Sequence, residues 1–336
     1  MRISNFDLDK EILVVAEIGN NHEGSFSLAE ELIGLAAEAG AGAVKFQTII
    51  PEKLVSEIET ERIAQLRKFS LSYEDFLRLK DVADNSNILF LSTPFDIESA
   101  LFLVDLVPAF KIASGDNNFF PLINAVARSG KPIILSTGMS TMEQIRSTRD
   151  FIIDIWDQMA ITDHNLAVLH CVANYPTSAY NANLLFIKEL ESLGLTVGYS
   201  DHTIGIDAAV VSVALGARII EKHFTISKDY SNFHDHRMSA DPKDLKELIY
   251  RVKETISMMG TGKKRILESE ESIVQKARRS IVANRDLEKG VVLHLKDLSW
   301  VRPADGLGPG SEHIIIGKVL NRQIKKGEKI LASDVQ

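Results

Sequence analysis

The sequence predicts a closed (β/α)8 barrel, the TIM-barrel architecture, followed by a small β-rich domain. From residue 12 to about residue 259, short apolar segments alternate with helix-length amphipathic segments, as in repeated β-α units around a parallel sheet. Eight such units in about 250 residues match the size of a closed barrel, whereas an open doubly wound sheet usually has fewer strands. Beyond these units the pattern changes, which indicates a second domain.

Eight apolar runs are the predicted strands. Each is short and rich in Val, Ile, Leu and Ala, which is typical of strands buried in a parallel sheet. The segments between them, such as 27–39 and 96–106, are predicted to be helices that pack around the barrel. The runs are ILVVAEIG from residue 12, AVKFQT from 43, ILFLST from 88, AFKIAS from 109, PIILST from 132, LAVLHC from 166, LTVGYS from 195 and ARIIEKH from 217.

Two loops of the predicted barrel are informative. The segment GNNHEGS after the first strand lacks the G-x-G-x-x-G spacing of a dinucleotide-binding loop, so a dinucleotide-binding fold has little support. Residues 49–70 form a long charged insertion after the second strand. Loops at this edge build the active sites of barrel enzymes, so we expect the insertion to border a functional site.

The chain is predicted to consist of a barrel over residues 1–260, a linker over 261–277 and a terminal domain over 278–336. The linker is bracketed by glycine and highly charged, which favours an exposed join with some helix. In the terminal domain, RDLEKGVVLHLKDL (285–298) recurs 37 residues later as RQIKKGEKILASDV (322–335). The repeat predicts two copies of a strand-turn-strand unit in a pseudo-symmetric domain.

Composition and charge exclude several classes of protein. The formal net charge of −8 does not suit a protein that binds nucleic acid, which needs a concentrated basic face. The single cysteine, Cys171, excludes an internal disulfide, and a buried structural thiol is favoured because His170 is its only obvious activating partner. The N-terminus lacks a signal-peptide pattern, and no apolar run approaches the ~18 residues that span a bilayer. We expect a soluble cytoplasmic protein with no membrane partner.

Two histidines end predicted strands that follow one another along the chain. LTVGYSDH ends at His202 and ARIIEKH ends at His223, with a helix-length segment between them. Because adjacent parallel strands end at the same edge of their sheet, the two imidazoles could bind one divalent metal ion, with Ser200 and Asp201 just upstream. The alternative is a pair of structural histidines held by hydrogen bonds.

Polar residues also end the other strands, where the catalytic groups of barrel enzymes cluster. Lys45 and Lys111 are the most informative, because a lysine in an apolar strand must be paired or face a ligand. The two lysines could bind phosphate or carboxylate, or each could pair with a structural acid such as Glu17 or Glu221. Glu17 is in turn either a proton-transferring group or a counter-ion. The polar strand ends are Glu17, Lys45, Gln47, Ser92, Thr93, Lys111, Ser114, Ser136, Thr137, His170, Ser200, His202, Glu221, Lys222 and His223.

Nine motifs follow one another along the barrel: AEIGNNHEGS, KFQT, STPFD, KIASGDNNFFPLI, ILSTGMS, HCVANYPT, GYSDHT, EKHFT and DHRMSADP. This succession resembles the N-acetylneuraminate (sialic acid) synthase family over nearly the whole chain, and the terminal domain resembles that family's antifreeze-like (SAF) module. The resemblance implies a transferase that condenses phosphoenolpyruvate with the open-chain aldehyde of an N-acylated mannosamine-type sugar. The products would be a nine-carbon 3-deoxy-2-ulosonic acid, expected to be N-acetylneuraminate, and phosphate.

The resemblance assigns roles position by position. It implies that His202 and His223 bind Mn²⁺, or Mg²⁺ or Co²⁺ in its place, and that the ion polarises the sugar aldehyde as a Lewis acid. Glu17 would handle a proton or the water at the metal. The phosphate and carboxylate of phosphoenolpyruvate would be held by Lys45, Thr93, Lys111, Ser114 and Ser200. The sugar would be contacted by Gln47, Tyr175 and Asp235.

The sequence departs from the family pattern in three places. The carboxylate that stabilises an oxocarbenium ion at the former enol carbon is usually a glutamate after Ser-Gly, whereas this chain has the shorter Asp116. In HCVANYPT, Ala173 occupies the place of an asparagine in some relatives, so Asn174 is the candidate contact to phosphoenolpyruvate. The segment SNFHDHRMSADP (231–242) is one residue longer than the family's GPDH-like version, so the recognised sugar substituents could differ.

The resemblance also implies a domain-swapped homodimer. In the family, the SAF module covers the barrel mouth of the partner subunit and delivers an arginine to the sugar. Arg302, in WVRPADG, matches that arginine. Its alternative role is a surface salt bridge, which contributes little.

The sequence leaves three alternatives to N-acetylneuraminate synthesis. A legionaminic or pseudaminic acid synthase would belong to the same family and use a different amino sugar. An aldol synthase that makes 3-deoxy-ulosonate phosphates would need a further basic site, and no spare arginine cluster follows the strands. A catalytically idle barrel with a carbohydrate- or protein-binding module would have no reason to retain Lys45, Lys111, His202 and His223 together.

Overall fold

A computed structural model describes residues 1–336 of the chain. The chain divides into two compact units, Met1–Gly260 and Thr261–Gln336. The first unit is a (β/α)8 barrel, which confirms the predicted fold. No helix of either unit is long and apolar enough to cross a membrane.

Eight parallel strands form the barrel, and they coincide with the eight predicted apolar runs. Two strands of an N-terminal hairpin, β1 (Arg2–Ile3) and β2 (Phe6–Asp7), precede them. The barrel strands are β3 (Leu13–Gly19), β4 (Ala43–Thr48), β5 (Leu89–Pro94), β6 (Phe110–Ile112), β7 (Ile133–Ser136), β8 (Leu166–Cys171), β9 (Thr196–Asp201) and β10 (Ile219–His223). The sheet runs β5-β4-β3-β10-β9-β8-β7-β6, and β5 lies beside β6 at the seam of the near-closed barrel.

Helices follow the strands and cover the outside of the barrel. Thr141 and Gln144 form a capping box at the start of helix Met142–Gln158, and Ser25 caps the start of helix Phe26–Ala39. Outward-facing strand residues join buried helix residues in one apolar cluster. The helices of this unit are α1 (Phe26–Ala39), α2 (Pro51–Leu54), α3 (Thr60–Phe69), α4 (Tyr73–Asn85), α5 (Ile97–Leu103), α6 (Phe120–Ala127), α7 (Met142–Gln158), α8 (Phe186–Glu191), α9 (Asp207–Ala214), α10 (Asp235–Met238) and α11 (Pro242–Met259), while α12 (Glu268–Ala277) belongs to the second unit.

The inward-facing residues change in character along the barrel axis. Successive strand residues point to opposite faces, so alternate residues share the interior. On β3 these are Leu13 and Val15, which are apolar, and then Glu17. At the apolar end, the inward residues form one cluster with Ile3 and Leu8 of the N-terminal segment, both fully buried. The barrel is therefore closed at one end by apolar packing and is polar at the other end, where the catalytic loops of such barrels lie.

The second unit, which begins with α12, has its own small core. Its antiparallel strands β11 (Ser280–Ala283) and β12 (Leu298–Val301) form a two-stranded sheet. Fully buried apolar side chains such as Ile281, Leu293 and Ile330 pack together beneath them.

The sequence repeat in this unit is visible as a repeated ion pair. In the first copy, Arg285 Nε lies 3.0 Å from Asp297 Oδ1. In the second copy, Arg322 Nε lies 2.6 Å from Asp334 Oδ1. Because each pair joins the two ends of its copy, the repeated sequence folds into two similar halves.

Truncation of a buried side chain in the N-terminal segment should destabilise the barrel. Leu8→Ala removes packing at the apolar end of the interior, and such truncations cost about 2 to 5 kcal/mol. We expect the midpoint of thermal unfolding to fall by at least about 4 °C. Leu185→Ala, at a side chain that is 74% exposed, is the control and should shift the midpoint by less than about 2 °C. Equal midpoints for the two variants would contradict the observed packing.

Candidate active site

The polar end of the barrel opens into a cavity of about 710 Å³, a size typical of small-molecule sites. Its walls come from the strand ends and from the loops that follow them. The structure brings most of the expected site residues together there. Those that line the cavity are Glu17, Lys45, Gln47, Thr93, Lys111, Ser114, Tyr175, Ser200, His202, His223 and Asp235.

The alternation of strand residues explains which polar strand ends reach the cavity. Lys45 and Gln47 point inward from β4, and Glu221 points inward from β10. Lys222 points away, and its Nζ lies 2.9 Å from Asp201 Oδ2 in a buried ion pair outside the cavity. The polar strand ends that do not line the cavity are Ser92, Thr137, His170 and Lys222.

Two lysines and two glutamates form a buried charged cluster at the cavity wall. Lys45 Nζ lies 2.7 Å from Glu17 Oε2 and 3.7 Å from Glu221 Oε2. It also donates a 3.0 Å hydrogen bond to Thr93 Oγ1. Lys111 Nζ lies 3.5 Å from Glu221 Oε1. The lysines are therefore paired with Glu17 and Glu221, which was one of the two alternatives from the sequence. They also face a cavity large enough for a ligand, so the pairing is compatible with anion binding.

The cluster changes the protonation of its members. Burial raises the pKa of Glu17, with Glu221 adding to the effect and Lys45 opposing it. Burial also opposes ionisation of Glu221, but Lys111 and Lys45 outweigh it and hold the pKa of this carboxyl at about 2. Burial lowers the pKa of Lys111, whose one carboxylate neighbour is Glu221. Of the two glutamates, Glu17 is thus the one more ready to take up a proton, and of the two lysines, Lys111 has fewer partners in the protein.

A chain of side-chain amides fixes the Glu17 carboxylate. Gln47 Nε2 donates a 3.1 Å hydrogen bond to Glu17 Oε1, and Asn20 Nδ2 donates a 3.1 Å hydrogen bond to Gln47 Oε1. Gly19, which lies between Glu17 and Asn20 in the sequence, has φ +54°, and a Cβ at this position would lie 3.1 Å from Glu17 Oε1. Glycine is favoured at this position for both reasons. Asn20 is a site residue outside the set expected from the sequence, although it lies within the motif AEIGNNHEGS.

His202 and His223 lie side by side at the cavity wall, with ring centroids 5.4 Å apart. His202 Nδ1 donates a 2.8 Å hydrogen bond to the Val172 carbonyl, so in the neutral ring the lone pair lies on Nε2. Burial opposes protonation of His202, but Cys171 and the Val172 carbonyl outweigh burial and raise the pKa of this ring, which a metal ion must therefore bind in competition with a proton. His223 Nδ1 is buried and has no hydrogen-bond partner. Burial lowers the pKa of His223 well below its ordinary value, so the ring is neutral. Structural hydrogen bonding therefore accounts for His202 but leaves His223 Nδ1 unexplained.

The histidine pair fits a divalent transition-metal ion. Neutral imidazoles with a free ring nitrogen are ligands that Mn²⁺ and similar ions accept. The carboxylate of Asp235 is nearby, with Oδ2 3.9 Å from His223 Nδ1. No group of three or more His, Cys, Asp or Glu side chains is arranged to hold an ion. The chain therefore offers two histidines, and water or substrate would complete the coordination.

The expectation that His170 is the only partner of Cys171 was wrong. Neighbouring strand residues point to opposite faces, so His170 faces outward and its Nε2 donates to the Ala182 carbonyl at 2.8 Å. Cys171 faces the cavity, with Sγ 3.8 Å from His202 Nδ1. Burial raises the pKa of the thiol, but His202 and Ser114 outweigh burial, so this pKa lies below its ordinary value.

Three expected site residues lie apart from the cavity lining. Asp116 ends the 3-10 turn Ser114–Asp116, and burial raises the pKa of its carboxyl to about 6. Asn174 is exposed, and its backbone carbonyl accepts a hydrogen bond from Thr177 Oγ1. Arg302 belongs to the second unit, where it is exposed.

The insertion after the second strand borders the cavity, which confirms the expectation for residues 49–70. Within it, α3 forms a wall of the cavity, and none of its individual residues was among those expected at the site. The signal was present, because Arg62, Gln65, Leu66 and Phe69 are spaced as neighbours on one helix face. The insertion residues that line the cavity are Glu59, Glu61, Arg62, Gln65, Leu66 and Phe69.

The sequence matches the NeuB family over residues 32–264 and the SAF domain over residues 278–336. An uncharacterized protein of Methanocaldococcus jannaschii is 42% identical over 322 residues, which cover 94% of this chain and 91% of that protein. The N,N'-diacetyllegionaminic acid synthase of Legionella pneumophila is 35% identical over 338 residues, which cover 96% of this chain and 94% of that enzyme.

A solved structure shows the same similarity. The N-acetylneuraminic acid (sialic acid) synthetase of Leptospira borgpetersenii, crystallised in complex with citrate, superposes with a TM-score of 0.76 at 33% sequence identity. The match covers 82% of this chain and 94% of that chain.

Replacement of Asp116 should change the pH dependence of stability. Folding raises the pKa of this carboxyl group from 3.8 to about 6. Ionisation of the group therefore destabilises the folded state, progressively between these pH values and fully above them. Asp116→Asn removes that ionisation and should stabilise the protein by about 1 to 3 kcal/mol at pH 8 relative to wild type, but not at pH 4.

Urea denaturation of both proteins at pH 4 and pH 8 measures this difference. Asp163→Asn, at an exposed carboxylate in a loop of the same unit, is the control and should behave alike at both pH values. A stability difference for Asp116→Asn that does not depend on pH would contradict the raised pKa.

Proposed function

We propose, since the chain belongs to the NeuB family, that it is a nonulosonic acid synthase acting on phosphoenolpyruvate and an amino sugar. It would condense phosphoenolpyruvate with the open-chain form of an N-acylated mannosamine-type sugar and release a nine-carbon 3-deoxy-2-ulosonic acid and phosphate. The observation that carries the proposal is the meeting of Lys45, Lys111, His202 and His223, from different strands, at the wall of one cavity. This set provides cations for an anion and free imidazoles for a metal in the same place.

Phosphoenolpyruvate would bind at the charged cluster. Lys111 has a single carboxylate neighbour at 3.5 Å, so an incoming phosphate or carboxylate group gives it a stronger partner. Lys45 would share that anion, and hydroxyl groups would donate to the remaining oxygens. The proposed hydroxyl donors are Thr93, Ser114 and Ser200, which line the same cavity.

Carbon-carbon bond formation would take place between C3 of phosphoenolpyruvate and the aldehyde carbon. Attack by C3 leaves an oxocarbenium ion at C2 and an alkoxide on the sugar, and the alkoxide must take up a proton. Glu17 is suited to deliver that proton, because burial raises its pKa and the Gln47 amide holds its carboxyl group in place. Water then adds to C2 and gives one proton to Glu17, which is ionised after its first proton transfer. The new hydroxyl group becomes the C2 carbonyl as the bond between C2 and the phosphate oxygen breaks, and its proton leaves with the phosphate.

The positive charge at C2 needs a negative partner in the cavity. The family resemblance gives this role to Asp116, whose carboxyl group does not line the cavity. Glu221 lines the cavity, and its pKa of about 2 keeps it ionised at neutral pH. We therefore assign the electrostatic stabilisation of C2 to Glu221 together with Asp116, with the aspartate contributing from outside the lining.

His202 and His223 would hold a divalent ion, for which Mn²⁺ is proposed and Mg²⁺ or Co²⁺ are the alternatives. When bound, the ion supplies Lewis-acid polarisation of the sugar aldehyde. The chain prepares its two ligands differently. The Val172 carbonyl fixes the tautomer of His202, while burial keeps His223 neutral.

The acceptor sugar would be unphosphorylated and would contact Gln47, Tyr175 and Asp235. Arg62 is the one arginine in the cavity lining, and Glu59 and Glu61 lie in the lining beside it. Two carboxylates next to a single guanidinium group disfavour a phosphorylated acceptor. This observation supports an amino sugar over the phosphosugars of other aldol synthases.

The proposed assembly is a domain-swapped homodimer. In it, Arg302 of one subunit would reach the sugar bound by the other. Its guanidinium group is exposed within its own unit and makes no ion pair there. It is therefore free to bind a ligand.

Phosphate release should depend on a divalent ion and on both histidines. With phosphoenolpyruvate, Mn²⁺ and a panel of N-acylated amino sugars, we expect wild-type protein to release phosphate. His202→Ala and His223→Ala should lower the rate by at least about 100-fold and weaken Mn²⁺ binding measured by calorimetry, since each removes a metal ligand. His313→Ala, at an exposed histidine of the second unit, is the control and should retain both.

Two results would overturn parts of this proposal. Undiminished activity after exhaustive chelation would remove the metal. The absence of phosphate release with every sugar, despite calorimetric binding of Mn²⁺, would favour a catalytically idle barrel.

Removal of the Arg302 guanidinium should weaken sugar binding selectively. Arg302→Ala is expected to raise the KM for the sugar about tenfold or more while the KM for phosphoenolpyruvate changes less than about twofold. Steady-state kinetics with each substrate varied in turn measures the two constants. Arg265→Ala removes another exposed arginine of the second unit and should leave both unchanged. An unchanged sugar KM for Arg302→Ala would discard the role.

A further inference from the structure

A buried ion pair lies outside the cavity, directly behind the two histidines. Lys222 Nζ lies 2.9 Å from Asp201 Oδ2, and the two side chains are 1% and 0% exposed. The two residues are partners in the register of β10 and β9, and each immediately precedes a histidine, His223 or His202. Because side chains alternate along a strand, both histidines line the cavity and neither member of the ion pair does.

The ion pair holds the backbone on both sides of His202. Lys222 Nζ donates to the Thr203 carbonyl as well as to the Asp201 carboxylate. Asp201 Oδ1 accepts a 2.8 Å hydrogen bond from the Thr203 backbone N–H. Residues 201 and 203, which flank the first histidine, are therefore both tied to the residue that precedes the second histidine.

Stability alone is a weak explanation for this ion pair. Desolvation of two buried charges offsets most of their attraction, and apolar side chains of similar size often stabilise a protein as well or better. Tyr199, which is 1% exposed, donates a further 3.2 Å hydrogen bond to Asp201 Oδ1, so the carboxylate is enclosed by partners of its own. What the ion pair does provide is a fixed connection between the strand ends that carry the histidines.

The His223 ring needs such a connection. Histidines that bind a metal ion are usually oriented by a hydrogen bond from their other ring nitrogen. His202 has such a bond, from Nδ1 to the Val172 carbonyl, whereas His223 Nδ1 has no hydrogen-bond partner. The position of the second ring relative to the first, with centroids 5.4 Å apart, therefore depends on the backbone that carries it.

We propose that Lys222 and Asp201 are positioning residues that hold His202 and His223 at the separation needed to share one divalent ion. The inference rests on the proposed function, in which the two imidazoles bind that ion. Neither positioning residue contacts the ion or a substrate. They act through the strand ends, since the ion pair and its hydrogen bonds to Thr203 join the backbone next to one ligand to the backbone next to the other.

Replacement of the ion pair by a neutral pair of similar size tests this role. In Asp201→Asn/Lys222→Met, the amide oxygen still accepts from Thr203 and Tyr199, and methionine is unbranched like lysine. We expect the Kd for Mn²⁺, measured by calorimetry without substrate, to rise at least about tenfold, as is usual when the residues that support metal ligands are changed. Lys222→Met alone leaves the carboxylate unpaired, so its midpoint of thermal unfolding should fall further than that of the double variant.

Two control variants separate positioning from stability. Lys131→Met makes the same exchange at a half-buried lysine just before β7, whose Nζ donates to the Val107 carbonyl at 2.8 Å. Leu8→Ala removes packing at the apolar end of the barrel and lowers the thermal midpoint. Because both changes lie at the opposite end of the strands from the histidines, each should leave the Kd for Mn²⁺ within about twofold of wild type.

The possible results distinguish the positioning role from the function on which it rests. A double variant that binds Mn²⁺ as tightly as wild type, or an equal loss of affinity in Leu8→Ala, would overturn the positioning role and leave the proposed function intact. Wild-type protein that binds no Mn²⁺ would overturn both. If the double variant does not fold, Asp201→Asn replaces it, and the same rise of at least about tenfold in Kd is required.

Discussion

The barrel and its site depend on the neutralisation of charge inside the near-closed sheet. Strand alternation sends every second side chain into one interior, so Glu17, Lys45, Lys111 and Glu221 are all buried there. A buried charge without a partner costs several kcal/mol, and the cluster avoids this because each lysine has a carboxylate within 4 Å. The same alternation of strand residues therefore fills the barrel interior with apolar side chains at one end and brings the charged side chains together at the other.

This balance suits a site that takes up an anion and a dication together. When both glutamates are ionised, the two lysines and two glutamates of the cluster sum to zero formal charge, so either ligand alone leaves a net charge in a buried place. In the proposed function, phosphoenolpyruvate is the anion and the histidine pair holds the dication. The charge of the anion then compensates the charge of the dication. Because the incoming anion also binds the lysines that neighbour Glu221, the Glu221 carboxylate becomes available to stabilise the reacting carbon.

Sequence predicted the strands and the strand-end residues, because both follow from local patterns: runs of apolar residues and the polar residues that end them. The sequence offered Glu17 and Glu221 as partners of Lys45 and Lys111 without deciding which lysine pairs with which acid, and it did not pair Cys171 with His202. These contacts depend on how the strands are staggered around the barrel. Strict use of the period of two would have placed His170 on the outer face. The wall formed by α3 was expected as a segment, but its inward face depends on how the helix docks at Gly24 and Phe233.

The apolar packing around Ile3 and Leu8 has a consequence for how substrates travel. This packing closes the end of the barrel opposite the cavity. Substrates and products must therefore enter and leave through the opening at the loops. In the proposed function, phosphoenolpyruvate occupies the deeper position and the sugar lies above it. Because both substrates use the same opening, this arrangement implies ordered binding, with phosphoenolpyruvate before the sugar. The long product must dissociate before the next molecule of phosphoenolpyruvate can bind.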